Sequence, residues 1–505
     1  MNWKHGYYAD SGYTYGYYSE TSPLRLAWAA LIQGHILPTR NFRYLDAGCG
    51  QGLSLIMMAA AHPDSEFVGL DFLPEHISHA RDLATRCGLT NITFIEGDFI
   101  ALNQDPRSLG TFDYAICHGI TTWIAPSVKA SLFSLIGQVL NPGGVFYNSY
   151  NTYPGWLPTV PFQHLVLLEQ RSKTGALALR AAKGHMDQLA ESANSMFGAL
   201  PGLQARMKSM DSQDPAYLVQ EYNNNFWQPV FVSQMMDEMA AVKMSYLGTA
   251  TLAEAYDAVL APKIRELLAS QTVAVIREQL RDYAINQSFR RDLYVKGQRR
   301  PWQTEQDDLI RQFRVVANPT TARPQGEAPF TIRSGTIELN GDHRFYNQIL
   351  DHLEQAGTAL SVADLVSLAQ PDQRSGIVSG VSMLLHGGWL LPYQPCADGA
   401  AGTVNSAIGA AVGLGAPYRF ISAPASGGAL ALGDAEWFVV SAAIAGKPEG
   451  EWLSALDESM TRNRRAMSKD GKPVTDEQEK RALQQKVVDD VKNIKLPFLR
   501  RMGAI

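Results

Sequence analysis

The order of apolar and turn-forming segments predicts an α/β protein: a doubly wound, mostly parallel sheet with helical insertions, followed by smaller α+β domains. Three observations predict it. Short apolar strands alternate with helical stretches from Arg43 to about Tyr150, as in parallel strands joined by crossover helices. A glycine-rich turn, "LDAGCGQG", stands between the first strand and its helix. The second and third strands each end at an aspartate, Asp71 and Asp98.

The elements follow in order. "RYLDAG" ends the first strand, and "LSLIMMAAA" is its helix. "EFVGLDF" is the second strand, with "PEHISHARDLATRCG" a helix closed by Gly88. "ITFIEGDF" and "FDYAICHGI" are the third and fourth strands. "SVKASLFSLIGQVL" is a helix stopped by "NPGG", and "VFYNSYN" is the fifth strand. These elements make residues 41–156 the core, preceded by an arm at 1–40. Residues 157–220 read as a helical insertion. Phe231, Met235, Met239 and Val242 recur at helical spacing, "KMSYLGTATL" is a sixth strand and "SFRRDLYVKG" a seventh, so 221–300 completes the sheet. "ANPTTARPQGEAP" marks a linker within 301–341. Three helical segments and "GWLLPY" predict a winged-helix-like domain over 342–395. Residues 396–505 form a C-terminal domain, with a flexible Gly/Ala stretch at 397–415. Its tail from Met460 is basic, with 12 Lys/Arg against 6 Asp/Glu.

Composition narrows the class. A chain of 505 residues that is 46% hydrophobic and 18% charged, with net charge −5, describes a soluble globular protein. That charge gives no reason to expect stable nucleic-acid binding. Within 342–395, five acidic residues face only Arg344 and Arg374, a poor surface for phosphates. No apolar run is long enough for membrane insertion, and the first residues lack the apolar core of a secretory signal. Four cysteines without CxxC spacing suit a reducing cytoplasm. No His/Cys/Asp cluster has metal-ligand spacing, so no metal is expected.

Gly48, Gly50 and Gly52 form a GxGxG loop in which the backbone can turn tightly against a ligand. A dinucleotide fold prefers a third glycine one place later, where this chain has Leu53. Asp71, 21 residues after Gly50, can accept two ribose hydroxyls. Asp98 can accept an adenine amino group, with Phe72 and Phe99 flanking the ring. This constellation resembles class I S-adenosylmethionine-dependent methyltransferases, whose sheet is Rossmann-like. The resemblance implies S-adenosylmethionine as cofactor and Asp46 as a brace of the loop that helps to receive the methionine ammonium. Capping of the following helix is the structural reading of Asp46. In this superfamily the end of strand four faces the sulfonium, which makes His118 and Gly119 candidates there; a packed histidine is the alternative for His118. Trp123 is a candidate pocket wall.

The stretch "YNSYNTYPGW" places hydrogen-bonding groups at the carboxyl end of strand five, where open parallel sheets bind ligands. Tyr150, Asn151 and Tyr153 are expected beside the transferred methyl, with Trp156 a substrate contact; a simple turn is the alternative. "SYNTYPGW" with "HGITTWI" resembles the bacterial protein-lysine methyltransferases that modify rickettsial outer-membrane proteins, and the wider group with a methyltransferase regulatory domain. "NNFWQPVFVSQMMDEM", "MSYLGTATL" and "FRRDLYVKG" resemble that regulatory portion. The resemblance spans roughly residues 5–300 and implies a homodimer built by the helical insertion. It leaves the acceptor open: a protein lysine, or a glycan, carboxylate or small metabolite. A cofactor-sensing scaffold acting through the winged-helix-like domain is the rival class. Six tyrosines between Tyr7 and Tyr18, interleaved with glycines, suggest a lid in which Tyr13 assists catalysis and Tyr15 and Tyr17 touch substrate. An arm pinned on another subunit is the alternative.

Overall fold

A computed structural model describes residues 15–192, 196–335, 337–469 and 472–505. Tyr13 lies outside the described residues.

After the helix α1 (Pro23–Ile32), the chain alternates β1 (Arg43–Ala47), α2 (Leu53–Ala61), β2 (Glu66–Asp71), α3 (Pro74–Arg86), β3 (Ile92–Glu96), the short α4 (Phe99–Leu102), β4 (Phe112–His118), α5 (Pro126–Val139) and β5 (Leu140–Asn151). The helical insertion follows as α6 (Val160–Glu169), α7 (Gly175–Ala190), α8 (Pro201–Met210) and α9 (Pro215–Tyr222). The sheet is completed by α10 (Val232–Ala241), β6 (Met244–Thr249), α11 (Pro262–Ala269), α12 (Ala274–Ile285) and β7 (Phe289–Lys296). Strand order is β3-β2-β1-β4-β5-β7-β6. β1 to β5 are mutually parallel, while β7 runs antiparallel to both β5 and β6. The order reverses between β1 and β4, so the crevice outside their carboxyl ends is the expected ligand site of a doubly wound sheet.

Beyond the sheet come α13 (Gln303–Gln312), β8 (Arg314–Ala317) and a hairpin of β9 (Phe330–Ser334) and β10 (Ile337–Gly341). Three helices, α14 (His343–Ala356), α15 (Val362–Leu368) and α16 (Ile377–His386), pack with the small sheet β11 (Leu360–Ser361), β8 and β12 (Leu390–Pro392). The Gly/Ala stretch read as flexible corrects to a helix, α17 (Gly402–Gly413). Val404, Ile408 and Val412 recur at i, i+4 and i+8 and are buried, so one apolar stripe suffices to dock a chain of small residues. The hairpin β13 (Phe420–Ala423) and β14 (Gly428–Ala431) then packs against α2. There the Ser422 hydroxyl donates to the Met57 carbonyl at 3.0 Å.

Pairing across β5 and β7 sets which side chains share a face, because opposed residues point the same way. Tyr147, Ser149 and Asn151 stand opposite Leu293, Arg291 and Phe289 on one face. Asn148 and Tyr150 stand opposite Asp292 and Arg290 on the other. That second face holds a buried ionic network. Arg290 Nε lies 2.9 Å from Asp292 Oδ1, its guanidinium also meets Asp282 and Glu278, and Tyr150 donates to Asp292 Oδ2 at 2.6 Å. Removing a buried cation leaves its carboxylates unpaired. Arg290→Ala is therefore expected to cost about 3–5 kcal/mol, read as a fall in the urea midpoint.

Candidate active site

The glycine loop is fixed by conformation and by space. Gly48, Gly50 and Gly52 all have left-handed backbone, with φ of 95°, 54° and 77°, which disfavours any side chain. A Cβ on Gly48 would lie 2.7 Å from the Ile120 side chain, and one on Gly52 would lie 2.6 Å from Ala80 Cβ. The Gly48 and Cys49 N–H groups donate to the Leu70 carbonyl at 2.8 and 2.9 Å, tying the loop to β2. The Gly50 N–H donates to Asp71 Oδ2 at 2.9 Å. Asp71 Oδ1 accepts from the Leu73 N–H at 2.9 Å and faces His76 Nδ1 at 3.3 Å. Asp71 is thus a brace of the loop as well as an acid at the end of β2. Oδ2, with the Gly50 N–H as its one partner among the described residues, retains a second lone pair for a ribose hydroxyl.

Asp46, at the carboxyl end of β1, borders the same cleft. Burial, and then the neighbouring charge of Asp71, push its carboxyl up to about 7. A cation placed beside it would reverse that shift. Two residues beyond β3, Asp98 caps α4 by accepting the Ile100 N–H at 2.6 Å. Phe99 is buried behind it and Phe72 is half-buried.

Across the switch point, His118 stacks on Tyr18 with ring centroids 3.9 Å apart, and its Nδ1 shares a 3.0 Å hydrogen bond with the Tyr147 hydroxyl. Burial lowers the imidazole to about 4, against the attraction of Glu20, so it is neutral near pH 7. Burial also raises the Tyr147 phenol well above its ordinary range. The Gly119 N–H donates to the Ser149 hydroxyl at 2.8 Å, closing the β4 end onto β5.

The other predicted residues lie outside the lining of this cleft. Tyr150 is a correction: it is fully enclosed on the opposite face, its hydroxyl spent on Asp292. Adjacent strand residues point to opposite faces, so Tyr150 and Asn151 cannot both face the cleft. Asn151 Nδ2 donates to Glu221 Oε1 at 3.2 Å. Tyr153 packs against Phe231 at 5.1 Å. Trp123 is half-buried at the edge of the helical insertion's core. Trp156 lies inside that core under the Arg206 guanidinium, 4.8 Å from the ring. Tyr15 packs between His79 and Tyr418, and Tyr17 against Phe420.

Sequence reasoning missed Glu20, Arg291 and Glu221. Glu20 Oε1 accepts from Arg291 Nε at 2.8 Å. Burial opposes its charge, but Arg291 and His118 hold its carboxyl at about 2. Glu221 is buried on α9, and burial pushes it up to about 7 against hydrogen bonds that include that of Asn151. Glu20 and Arg291 are 271 positions apart, so no local pattern could pair them. Tyr18 was visible within the tyrosine-rich arm and Tyr147 within the strand-five stretch.

A crevice at the switch point of a doubly wound sheet, walled by a glycine loop and by Asp46 at the end of β1, is the arrangement of a Rossmann-like methyltransferase fold. Residues 38–199 match the family model described as a methyltransferase domain, and residues 214–296 the one described as a predicted methyltransferase regulatory domain. The chain therefore carries a methyltransferase domain followed by a methyltransferase regulatory domain. Its fold is similar to that of PKMT2 from Rickettsia typhi, solved in complex with AdoHcy, at TM-score 0.69 and 18% identity, covering 94% of this chain and 97% of that one. An uncharacterized protein of Synechocystis is 35% identical over 303 residues, 59% of each chain. One of Rickettsia prowazekii is 26% identical over 349 residues, 67% of this chain and 62% of the relative. The matches thus span about three-fifths of these curated relatives.

The paired strand-end acids yield a signed prediction. Folding raises Asp46 above its unfolded value, so its ionisation costs stability as pH rises from the ordinary carboxylate range through about 7. Asp46→Asn should raise the denaturant midpoint above about pH 7.

Proposed function

We propose that this chain transfers a methyl group from S-adenosylmethionine to a polar acceptor, and that the acceptor is a protein lysine amine. The observation carrying the donor half is the glycine cradle flanked by Asp46. A Cβ at Gly48 or Gly52 would enter occupied space, and the raised Asp46 favours a cationic partner. Asp46 and the loop would hold the methionine portion, Asp71 the ribose, and Asp98 with Phe72 and Phe99 the adenine. The donor supplies an electrophilic sulfonium methyl when bound.

The protein's own contribution is alignment and exclusion of water. Neutral His118 and Tyr147 offer polar contacts without adding a positive charge beside a sulfonium. A lysine ammonium has an ordinary pKa near 10.4 and must lose a proton before it can attack. Glu20, held at about 2, keeps its charge and is neutralised by the Arg291 guanidinium at 2.8 Å. Glu221, buried on α9, accepts from Asn151 at 3.2 Å and from Trp227 at 3.4 Å, and so fixes the Asn151 amide at the end of β5. What supports a lysine is the resemblance of "SYNTYPGW" and "HGITTWI" to protein-lysine methyltransferases.

The same reading places the protein in the cytoplasm as a homodimer. Leu168, Leu177 and Leu189, exposed by 38%, 58% and 46% on the helical insertion, supply apolar surface for a second copy. Among the described residues no helix is long and apolar enough to cross a membrane.

Purified protein incubated with labelled donor and host lysate should label polypeptides at lysine. Label on a glycan or small metabolite would contradict the acceptor assignment.

A further inference from the structure

We propose that Glu20 and Arg291 are positioning residues for this site: their ion pair latches the strap of residues 15–22 over the donor cleft, so that β7 of the regulatory domain governs donor entry and exit. The inference rests on the donor reading above.

The cleft encloses about 30 Å³, room for little more than a water or two. An adenosyl sulfonium needs far more, so a wall must move. Asp46, Gly48 and Ile116 belong to the paired strands β1 and β4 and the braced loop between β1 and α2. Gly16, Tyr18 and Thr21 come instead from a segment that precedes the sheet, and residues 15–18 form no helix or strand. The strap is the wall that can yield.

There is space behind it. Successive side chains of extended backbone point to opposite sides, and the strap follows that rule. Gly16 and Tyr18 line the cleft, whereas Tyr17 and Ser19 line a second cavity of about 460 Å³ beside Asn318 and Phe420. One thickness of backbone separates the two. Withdrawal into the larger cavity would lift Tyr18 from the His118 ring, and at 3.9 Å this stack caps the end of β4.

The strap is held forward from two sides. In front, Glu20 reaches the Arg291 guanidinium at 2.8 Å, and both side chains are mostly shielded, at 19% and 31% exposed. Arg291 stands opposite Ser149, whose hydroxyl receives the Gly119 N–H, so the latch is anchored on the strand pair that shapes the acceptor end. Behind, the Tyr17 hydroxyl lies where a side chain on Gly428 would sit.

Two measurements on the full chain test this. In ligand-free protein, Glu20→Gln should speed backbone hydrogen exchange over residues 16–22 about tenfold or more. Exchanging the charges, Glu20→Arg with Arg291→Glu, should restore most of the protection. On rapid mixing with S-adenosylmethionine, Glu20→Gln should raise donor association and dissociation rates together, each about fivefold or more, with affinity changing less. Gly428→Ala, which displaces Tyr17 from behind, should act in the same direction. Unchanged exchange in Glu20→Gln would overturn the latch, and faster exchange with unaltered donor rates would overturn its control of the cleft. Wild-type protein that binds no donor would sink the methyltransferase reading, while the exchange comparison would still decide the latch.

Discussion

The carboxylate of Asp71 has to satisfy a backbone that has no other local partner. Three glycines in left-handed conformation let the chain turn from β1 into α2, and the Gly50 N–H then points at the end of β2. Asp71 receives it, and with its other oxygen receives the Leu73 N–H that opens α3. One buried side chain therefore joins two strand ends and the loop between them. Its charge is also part of what raises Asp46. The loop's position and the raised Asp46 carboxyl both follow from bringing two carboxylates together behind a turn with glycine at three of its five places.

The groups around His118 are assembled differently. No single segment supplies them. β4 brings His118, β5 brings Tyr147 and Ser149, the strap brings Tyr18 and Glu20, and β7 brings Arg291. Antiparallel addition of β7 to β5 is what sets Arg291 beside Ser149 on the cleft face, with Arg290 on the opposite face. The two adjacent arginines thus do separate work, one within the buried network and one at the strap. A regulatory domain whose strand is part of the sheet is mechanically continuous with the site.

How much of this was legible in the sequence depended on range. The parallel strands, their helices and the glycine loop could be read because each is encoded within a few neighbouring residues. The antiparallel β7 was recognised as a strand, but its place in the sheet was not assigned. Tyr150 was misjudged by one position of alternation: Tyr147, Ser149 and Asn151 share the cleft face, and Tyr150 turns away. The helix at 402–413 was hidden by small residues that suggest mobility, although its buried stripe was present in Val404, Ile408 and Val412. Glu20 with Arg291, and Asn151 with Glu221, are contacts between distant segments that no spacing rule encodes.

The central claim is that a cationic methyl donor sits against Asp46, and proton linkage tests it directly. Burial and the neighbouring Asp71 push the Asp46 carboxyl up to about 7, so a sulfonium-bearing ligand should displace its proton. Calorimetric titration with S-adenosylmethionine near pH 7, repeated in buffers of different ionisation enthalpy, should show saturable binding with release of about half a proton. Saturable binding without proton release would contradict the role given to Asp46, and absence of binding would contradict the donor site altogether.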